Sequence, residues 1–417
     1  MKKESQRKSS NSIVKNSLLD ALYNTTIPLN PKKDKAKMKQ EKIKKKSDDD
    51  QYSPDSSFLL NLIKKNVNLD SDHFQSDSDS DSSGSVKDKI YFYESKTSSQ
   101  RSKSSSSKNL NTYELALADS KKFLKKYYNP AKSQANLKLN HFSLMCTLGR
   151  GSFGRVLLAY HKKNDKFYAV KVLNKDVLVK NHQISHTINE RNILYACNHP
   201  NIIKLYASFK DNSNIYFITD LYCNNDLYSL LKKYKSFEEK HAKFLSANLF
   251  LALEYLHANQ VIYRDLKPEN ILIADNGYIK LTDFGFAKKI KDTTETMCGT
   301  PDYISPEVLS AKPYGKSVDW WGFGIFVYEM NYGKPPFCAA NANDTDALYN
   351  LILDGKYTIP SNFGDHLADI CQKLLEKKVS KRLGCLKRGS NDIREHPWFD
   401  DIDWLAVYHQ KFPFPFL

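Results

Sequence analysis

The chain has 417 residues, a formal net charge of +16 and 41% hydrophobic residues. At about 100–200 residues per domain, this length accommodates one large region of two lobes and a tail. Much of the positive charge lies in a lysine-rich tract from Lys32 to Lys46, so the net charge does not by itself indicate a folded face for nucleic acid or membranes. Seven scattered cysteines favour free thiols over a zinc ribbon or a disulfide framework.

No targeting segment is recognisable at the N-terminus. It begins Met-Lys-Lys-Glu-Ser without an apolar signal region, and Lys2 is incompatible with N-myristoylation. No apolar run in the sequence is long enough to span a bilayer. We therefore expect the protein in the cytoplasm, the nucleus or both, and we expect no membrane span.

Residues 1–110 are rich in Ser, Lys, Asp and Asn and contain an Asp/Ser repeat from Ser76 to Asp81. Such a composition buries too little apolar surface to offset the entropy of ordering, so we predict a disordered, basic, Ser-rich tail. The lysine tract could be a nuclear-localisation signal or an anion-binding patch, but charge runs are poorly specific and favour a solvated linker. The Asp/Ser repeat could be a phosphorylation substrate or a plain solvated segment.

Residues 111–141 are predicted to form an amphipathic helix and a linker. Between Tyr113 and Tyr128 apolar residues recur at helical spacing among lysines, and Asn129-Pro130 ends the pattern. A helix with one apolar face needs a surface to lie on. We expect this one to pack across the domain that follows.

A glycine-rich segment, Leu-Gly-Arg-Gly-Ser-Phe-Gly-Arg-Val, follows an apolar run that starts at Phe142. The G-x-G-x-x-G pattern is a weak signal alone, but strand-like residues follow it here instead of the helix of a dinucleotide fold. This context predicts a hairpin over ATP phosphates, because glycines allow close approach of the backbone. The predicted ATP-binding residues are Leu148, Gly149, Arg150, Gly151, Ser152, Phe153, Gly154, Arg155, Val156, Ala169 and Lys171.

The segment from Gln183 to Cys197 predicts a helix with an apolar stripe and Glu190 off that stripe. A glutamate there could pair with Lys171 and fix its position, although any helix surface carries glutamates. Strands at 202–209 and 215–221 would complete a small lobe of five strands and a helix. The predicted stripe consists of Ile184, Ile188 and Tyr195.

A dense polar sequence, Tyr-Arg-Asp-Leu-Lys-Pro-Glu-Asn at 263–270, is followed by Asp283-Phe284-Gly285. An Asp that accepts a hydroxyl proton, a Lys, an Asn and a second Asp on a glycine turn are the groups required for phosphoryl transfer through Mg²⁺. Each of these residues alone is ordinary loop composition. Their order and spacing together indicate a phosphoryl-transfer site.

Beyond Tyr222 the pattern becomes mostly helical. The segment from Phe244 to His257 is a long apolar-periodic helix that leads to the polar sequence, and the segment from Ser317 to Met330 is almost continuously apolar. A helix that is apolar all round must be buried on all sides. Asp319, near its start, is predicted to hold the loop backbone and to take no part in the chemistry.

With these motifs identified, residues 113–412 closely resemble the catalytic subunits of cAMP-dependent protein kinase, in the cAMP/cGMP/lipid-regulated kinase group. The resemblance implies an α+β, bilobal protein kinase fold, with a small mainly-β N-lobe at 142–222, a larger mainly-α C-lobe at 223–399 and a truncated C-terminal tail at 400–417. The matching segments include L-G-R-G-S-F-G-R-V, Y-R-D-L-K-P-E-N, T-D-F-G-F-A-K, M-C-G-T-P-D-Y and D-W-W-G-F-G.

The same resemblance implies roles for single residues. Asp265 would be the catalytic base and Lys267 would steady the γ-phosphate of ATP, with Lys171 and Glu190 completing the catalytic set. The presence of Lys267 two positions after Asp265 points to Ser/Thr substrates. The implied Mg²⁺ ligands are Asn270 and Asp283.

Four carboxylates match the peptide-docking positions of the family and predict a preference for Arg at −3 and −2 of a protein substrate. These residues are Asp226, Glu269, Asp302 and Glu329.

Thr296 resembles the activation-loop phosphosite of the family. A phosphate there would carry about −1.5 to −2 charge and could gather Arg264, Lys288 and His186. The implied partners are basic protein substrates, an upstream activating kinase and a cAMP-binding regulatory subunit.

The sequence also departs from the family pattern, at Asn224-Asn225, Glu295 and Ser305, and it ends at Leu417 without the C-terminal aromatic and Phe motifs. An ATP-binding pseudokinase or scaffold is therefore the alternative, although each catalytic residue is present. A third hypothesis, a nucleic-acid or membrane binder acting through the basic tail, rests on lysine content alone. We do not expect nucleic acid as a partner.

Overall fold

The computed structural model describes residues 120–129, 137–223, 226–341 and 344–411. Its first helix, α1 (Ser120–Tyr128), is the described part of the amphipathic helix predicted from Tyr113. The predicted disordered tail, Asn224-Asn225 and residues 412–417 lie outside the described residues.

A five-stranded antiparallel sheet forms the small lobe, in the order β1-β2-β3-β5-β4. One face of the sheet carries a core of apolar residues such as Leu157, Val170 and Ile218. Ile215 and Phe217 alternate with Ile218 and are buried on the opposite face, so the central strands are buried on both sides. The sheet confirms the predicted hairpin and the predicted number of strands. The strands are β1 (Phe142–Gly151), β2 (Gly154–His161), β3 (Lys166–Asn174), β4 (Leu205–Lys210) and β5 (Asn214–Thr219).

Two helices, α2 (Lys175–Lys180) and α3 (Ile184–Ala196), connect β3 to β4. The buried face of α3 is not the predicted stripe: Glu190 and Ile193 are buried, whereas the stripe residues are only half-buried. The apolar periodicity did not identify the buried face because α3 packs against α1, β4 and β9 (Lys288–Lys289). With three packing partners, no single stripe of the helix faces the core.

Helix α1 is joined to α3 and to the segment after Asp283 by side chains. The Tyr127 hydroxyl donates to Oδ1 of Asn189 on α3 at 2.9 Å. The amide nitrogen of Asn189 donates in turn to the carbonyl oxygen of Ala287. Phe123 is buried against the same surface, which confirms that the helix packs across the domain.

The large lobe is mainly helical. Helices α5 (Glu239–Ala258) and α7 (Ser317–Tyr332) pack against each other, and α7 is buried from Ser317 to Asn331, as its continuous apolar sequence predicted. The other helices are α4 (Leu227–Tyr234), α6 (Pro306–Leu309), α8 (Thr345–Asp354), α9 (Asp365–Leu374), α10 (Asn391–Arg394) and α11 (Trp404–Tyr408).

Two short antiparallel sheets position the polar loops. Strand β6 (Val261–Ile262) pairs with β9, and β7 (Ile271–Ile273) pairs with β8 (Ile279–Leu281). The polar loop at 263–270 connects β6 to β7, and Asp283 comes two residues after β8. Within the described ranges no helix has the length and apolar character needed to cross a membrane, and all seven cysteines are free thiols.

Candidate active site

The backbone of the loop that carries Asp265, residues 263–270, is held by a buried carboxylate. Asp319, only 1% exposed, accepts hydrogen bonds from the backbone N–H groups of Tyr263 at 2.9 Å and of Arg264 at 2.8 Å. Its Oδ2 also lies 2.7 Å from Nε2 of His257 on α5. Arg264 has a positive φ of 71°, an uncommon conformation that these contacts stabilise. The predicted structural role of Asp319 is confirmed, while its partner His257 was not foreseen.

The carboxylate of Asp265 is buried and oriented by three neighbours. Its Oδ1 accepts from Thr300 Oγ1 at 2.9 Å, and its Oδ2 accepts from Asn270 Nδ2 at 2.8 Å. The ammonium of Lys267 lies 3.3 Å from the same Oδ2. The sequence predicted that Lys267 and Asn270 act together with Asp265. It gave no role to Thr300, whose only signal was its place in the M-C-G-T-P-D-Y segment.

An ionic triad crosses from the small lobe to the glycine turn. Lys171 Nζ lies 2.7 Å from Glu190 Oε1 and 3.3 Å from Asp283 Oδ1. Burial acts to lower the pKa of Lys171, but the two carboxylates outweigh it and the pKa is raised. Lys171 lowers the pKa of Asp283, a residue held at a positive φ of 46°. The pairing of Glu190 with Lys171, left open by the sequence, is thus present.

The glycine-rich hairpin of β1 and β2 lies beside β3 in the same sheet. Gly151 pairs with Gly154 at its tip, and Val156 on β2 lies opposite Lys171 on β3. A Cβ atom on Gly154 would come within 1.9 Å of the carbonyl oxygen of Val172, so only glycine allows the hairpin to approach β3 this closely. At Gly149 and Gly151, a Cβ atom would have no atom of the described residues within 4 Å apart from its chain neighbours, which leaves space for a ligand beside the backbone.

These residues fit a magnesium nucleotide. The Asp283 side chain is 52% exposed, and Asn270 uses its Nδ2 within the loop, so its amide oxygen is left for a cation. Carboxylate and amide oxygens are the donors that Mg²⁺ prefers. The ammonium of Lys171 and the open hairpin would hold the phosphates of the nucleotide.

Three of the four predicted docking carboxylates form one electrostatic cluster. Glu329, buried on α7, accepts a hydrogen bond from the Tyr303 hydroxyl. Burial raises the pKa of Glu329 to about 7, and the negative charges of Glu269 and Asp302 add to the increase. The fourth carboxylate, Asp226, caps α4: its Oδ1 accepts a hydrogen bond from the backbone N–H of Ser229 at 2.7 Å.

Thr296, the predicted phosphosite, is exposed. Its backbone carbonyl accepts a hydrogen bond from the Tyr314 hydroxyl, and that hydroxyl accepts from Nη1 of Arg264 at 3.0 Å. Two residues earlier, Thr294 is buried and exchanges two backbone hydrogen bonds of 2.9 Å with Tyr314. Tyr314 and Thr294 therefore fix the course of this loop, and the sequence indicated neither.

The three basic residues predicted to surround a phosphate on Thr296 bond to other groups in the described part of the chain. Lys288 Nζ donates to the hydroxyl of Thr294 at 2.8 Å. Arg264 Nε donates to the carbonyl of Phe286 at 2.8 Å, and His186 Nδ1 bonds to the carbonyl of Gly285 at 3.1 Å. All three therefore bond to neutral oxygens.

Comparison with known proteins agrees with this geometry. The family model for the protein kinase domain matches residues 142–399. Type 3 cAMP-dependent protein kinase of Saccharomyces cerevisiae is 48% identical over 273 residues, which are 65% of this chain and 68% of the relative. The catalytic subunit of the cAMP-dependent protein kinase of Schizosaccharomyces pombe is 45% identical, over 67% of this chain and 54% of the relative. Catalytic subunit 2 of the cAMP-dependent protein kinase of Drosophila melanogaster is 40% identical, over 73% of this chain and 86% of the relative.

The chain belongs to the protein kinase family. Its fold is that of a bilobal kinase, with an antiparallel small lobe and a helical large lobe. Within the family its likeness to catalytic subunits of cAMP-dependent protein kinases makes it a serine/threonine protein kinase.

Proposed function

We propose that this kinase transfers the γ-phosphoryl group of magnesium ATP to Ser or Thr in proteins that carry Arg at −3 and −2. The observation that carries the proposal is the acidic cluster of Glu269, Asp302 and Glu329 on the large lobe. A guanidinium group binds carboxylates with two parallel hydrogen bonds, so such a cluster favours arginine over neutral side chains.

The geometry around Asp265 supports its role as the base. As the substrate hydroxyl oxygen bonds to the γ-phosphorus and the bond to the β-phosphate bridging oxygen breaks, the hydroxyl proton passes to the Asp265 carboxylate. Thr300 and Asn270 hold that carboxylate in place. Lys267, beside it, would stabilise the charge on the transferring group, and Mg²⁺ held by Asn270 and Asp283 would supply further charge neutralisation.

The names of the relatives support a further element of the proposal, a cAMP-binding regulatory subunit as partner. An upstream kinase acting on Thr296 is the second proposed partner, because that side chain is exposed and basic residues lie near it. The pseudokinase alternative has no support in the geometry, since Lys171, Asp265 and Asp283 are all present and assembled.

Transfer of labelled γ-phosphate to two matched peptides tests the proposal, one with Arg at −3 and −2 and one with Ala at both positions. We expect strong transfer to the arginine peptide alone, reduced about 10²–10⁴-fold by Asp265→Asn. Glu395→Gln is the matched control, because it alters an exposed carboxylate that pairs with Arg388 outside the site. Equal rates on both peptides would contradict the substrate class, and undiminished transfer by Asp265→Asn would contradict the mechanism.

A further inference from the structure

The segment that joins the two lobes carries a carboxylate that neither catalysis nor peptide docking uses. Asp220 immediately follows β5, the last strand of the small-lobe sheet before the large lobe begins. Its Oδ1 accepts a hydrogen bond from the Tyr206 hydroxyl at 2.6 Å, and its Oδ2 accepts one from the Tyr222 hydroxyl at 3.3 Å. Both oxygens of this half-buried carboxylate are therefore engaged.

Tyr206 ties this carboxylate to the small lobe. It lies on β4, its ring packs edge-on against Tyr168 with 5.3 Å between centroids, and the Lys204 ammonium sits 4.9 Å from its ring centroid. These contacts fix the ring on the sheet, so its hydroxyl is a stationary donor relative to the small lobe.

Tyr222 ties the same carboxylate to the large lobe. The ammonium of Lys280 lies 5.6 Å from the centroid of its ring, within the range of a cation–π contact. Lys280 belongs to β8 of the large lobe and donates a hydrogen bond to the carbonyl of Pro200 at 2.5 Å. Tyr222 is thereby held against a strand of the large lobe.

The ionisation states favour these contacts at neutral pH. Burial raises the pKa of Tyr206 and of Tyr222, and the nearby Asp220 raises both further. Both phenols therefore keep their protons and remain donors to the carboxylate. A hydrogen bond to an ionised acceptor is stronger than one between neutral groups.

We propose that Tyr206, Asp220 and Tyr222 form a hinge clasp that restrains opening of the two lobes and slows the release of ADP. Opening requires the dihedral angles of the connecting segment to change, and the clasp holds this segment from both lobes at once. Release of product with opening of the cleft limits turnover in many enzymes. The three are positioning residues, and the inference rests on the proposed use of ATP.

The test is the dissociation rate of a fluorescent ADP analogue from the full chain, measured by displacement with excess ATP in a stopped-flow instrument. Tyr206→Phe and Tyr222→Phe keep each ring and remove one hydroxyl. We expect each to accelerate dissociation roughly threefold to tenfold, and the double variant to accelerate it more, since the bonds are partly exposed hydrogen bonds to a charged group. Asp220→Asn, which keeps the size and removes the charge, should also accelerate it.

Tyr216→Phe is the matched control. The Tyr216 hydroxyl also donates to an aspartate, Oδ2 of Asp211 at 2.7 Å. Asp211 lies in the turn between β4 and β5 and Tyr216 lies on β5, so this pair joins the turn to the strand and does not include the hinge carboxylate. Its dissociation rate should equal that of the parent chain.

An unchanged rate in the double variant and in Asp220→Asn would overturn the clasp, as would an equal acceleration by Tyr216→Phe. Failure of the parent chain to bind the nucleotide would overturn both the clasp and the proposed function, so the two failures are distinguishable. A melting temperature close to that of the parent would show that the faster release does not come from partial unfolding.

Discussion

The loop around Asp265 and the loop around Thr296 lie side by side, yet they are held in different ways. The loop around Asp265 is fixed by Asp319, a fully buried carboxylate that accepts hydrogen bonds from two backbone N–H groups. The second is held through the hydroxyl of Tyr314 and the backbone of Thr294, while the Thr296 side chain is exposed.

The loop around Asp265 is therefore fully held once the protein has folded, whereas the loop around Thr296 can gain further contacts from phosphorylation. The contacts of Asp319 form when the large lobe folds and require no further charge. Around Thr296, by contrast, Lys288, Arg264 and His186 donate to neutral oxygens. A phosphate would offer these donors a charged acceptor, and charge-assisted hydrogen bonds are about twice as strong as neutral ones.

The largest expected effect on stability and activity comes from removing the carboxylate that holds the loop around Asp265. Asp319→Ala leaves the backbone N–H groups of Tyr263 and Arg264 buried without their acceptor. At about 1–3 kcal/mol for each buried donor, the free energy of unfolding should fall by about 2–6 kcal/mol. Phosphoryl transfer should fall about 100-fold or more, because small displacements of a base have effects of that size. Denaturant unfolding and peptide phosphorylation check the two results.

Asp369→Ala is the control for Asp319→Ala. Asp369 also lies within hydrogen-bond distance of a histidine, with 2.9 Å between its Oδ2 and Nε2 of His396, but it is partly exposed and supports no catalytic backbone. If this variant lost as much activity as Asp319→Ala, the special role assigned to Asp319 would be wrong.

A smaller effect on activity is expected from the phosphorylation state of Thr296 in the second loop. Thr293 stands at −3 and Glu295 at −1 of Thr296, which makes the loop a poor substrate for a kinase that prefers arginine. Phosphatase-treated, dilute protein given ATP should show low Thr296 occupancy by mass spectrometry. Its activity should lie about 10- to 100-fold below that of the phosphorylated form, the size of one or two hydrogen bonds to a charged group.

Thr296→Ala should stay at this low activity whatever upstream kinase is added. Rapid, concentration-independent phosphorylation of Thr296, or a fully active Thr296→Ala protein, would show that the second loop needs no added charge.

The smallest expected effect concerns pH and the docking of a basic peptide. The pKa of Glu329 is raised to about 7, so its carboxyl is neutral below that pH and becomes charged as the pH rises through it. The KM for a peptide with Arg at −2 should therefore fall about tenfold between pH 6 and pH 8, since only the ionised carboxylate pairs with the guanidinium.

Two controls sharpen this pH prediction. Glu329→Gln should flatten the profile and leave the KM high throughout, and a peptide without Arg at −2 should show no such change on the parent enzyme. A parent profile that stays flat for the arginine peptide would contradict the assignment of Glu329 to docking.

Much of the site was predictable because its residues are close in sequence. Asp265, Lys267 and Asn270 lie within one loop, so their spacing alone brings them together. The number of strands in the small lobe also followed from apolar runs and the glycine hairpin. Asp319 was recognisable as a polar residue in an otherwise apolar helix.

Contacts made only by tertiary packing were not predictable. Thr300 reaches Asp265 across 35 positions of the chain, and Tyr206 meets Asp220 only because β4 pairs with β5 at the edge of the sheet. The stripe predicted for α3 was wrong for the same reason, since periodicity cannot reveal three packing partners around one helix. The hydrogen bond from Lys288 to the hydroxyl of Thr294 was likewise not predictable.

The hydrogen bonds from Tyr127 through Asn189 to Ala287 bear on how this kinase should be excised for experiments. The match to the family begins at residue 142, so a fragment cut at that boundary would lack Tyr127. It would then leave Oδ1 of Asn189 without this donor, on the helix that carries Glu190 and beside the segment that follows Asp283. A fragment that starts before residue 120 retains these hydrogen bonds. Rates measured on a fragment that starts at residue 142 would be those of a less active enzyme.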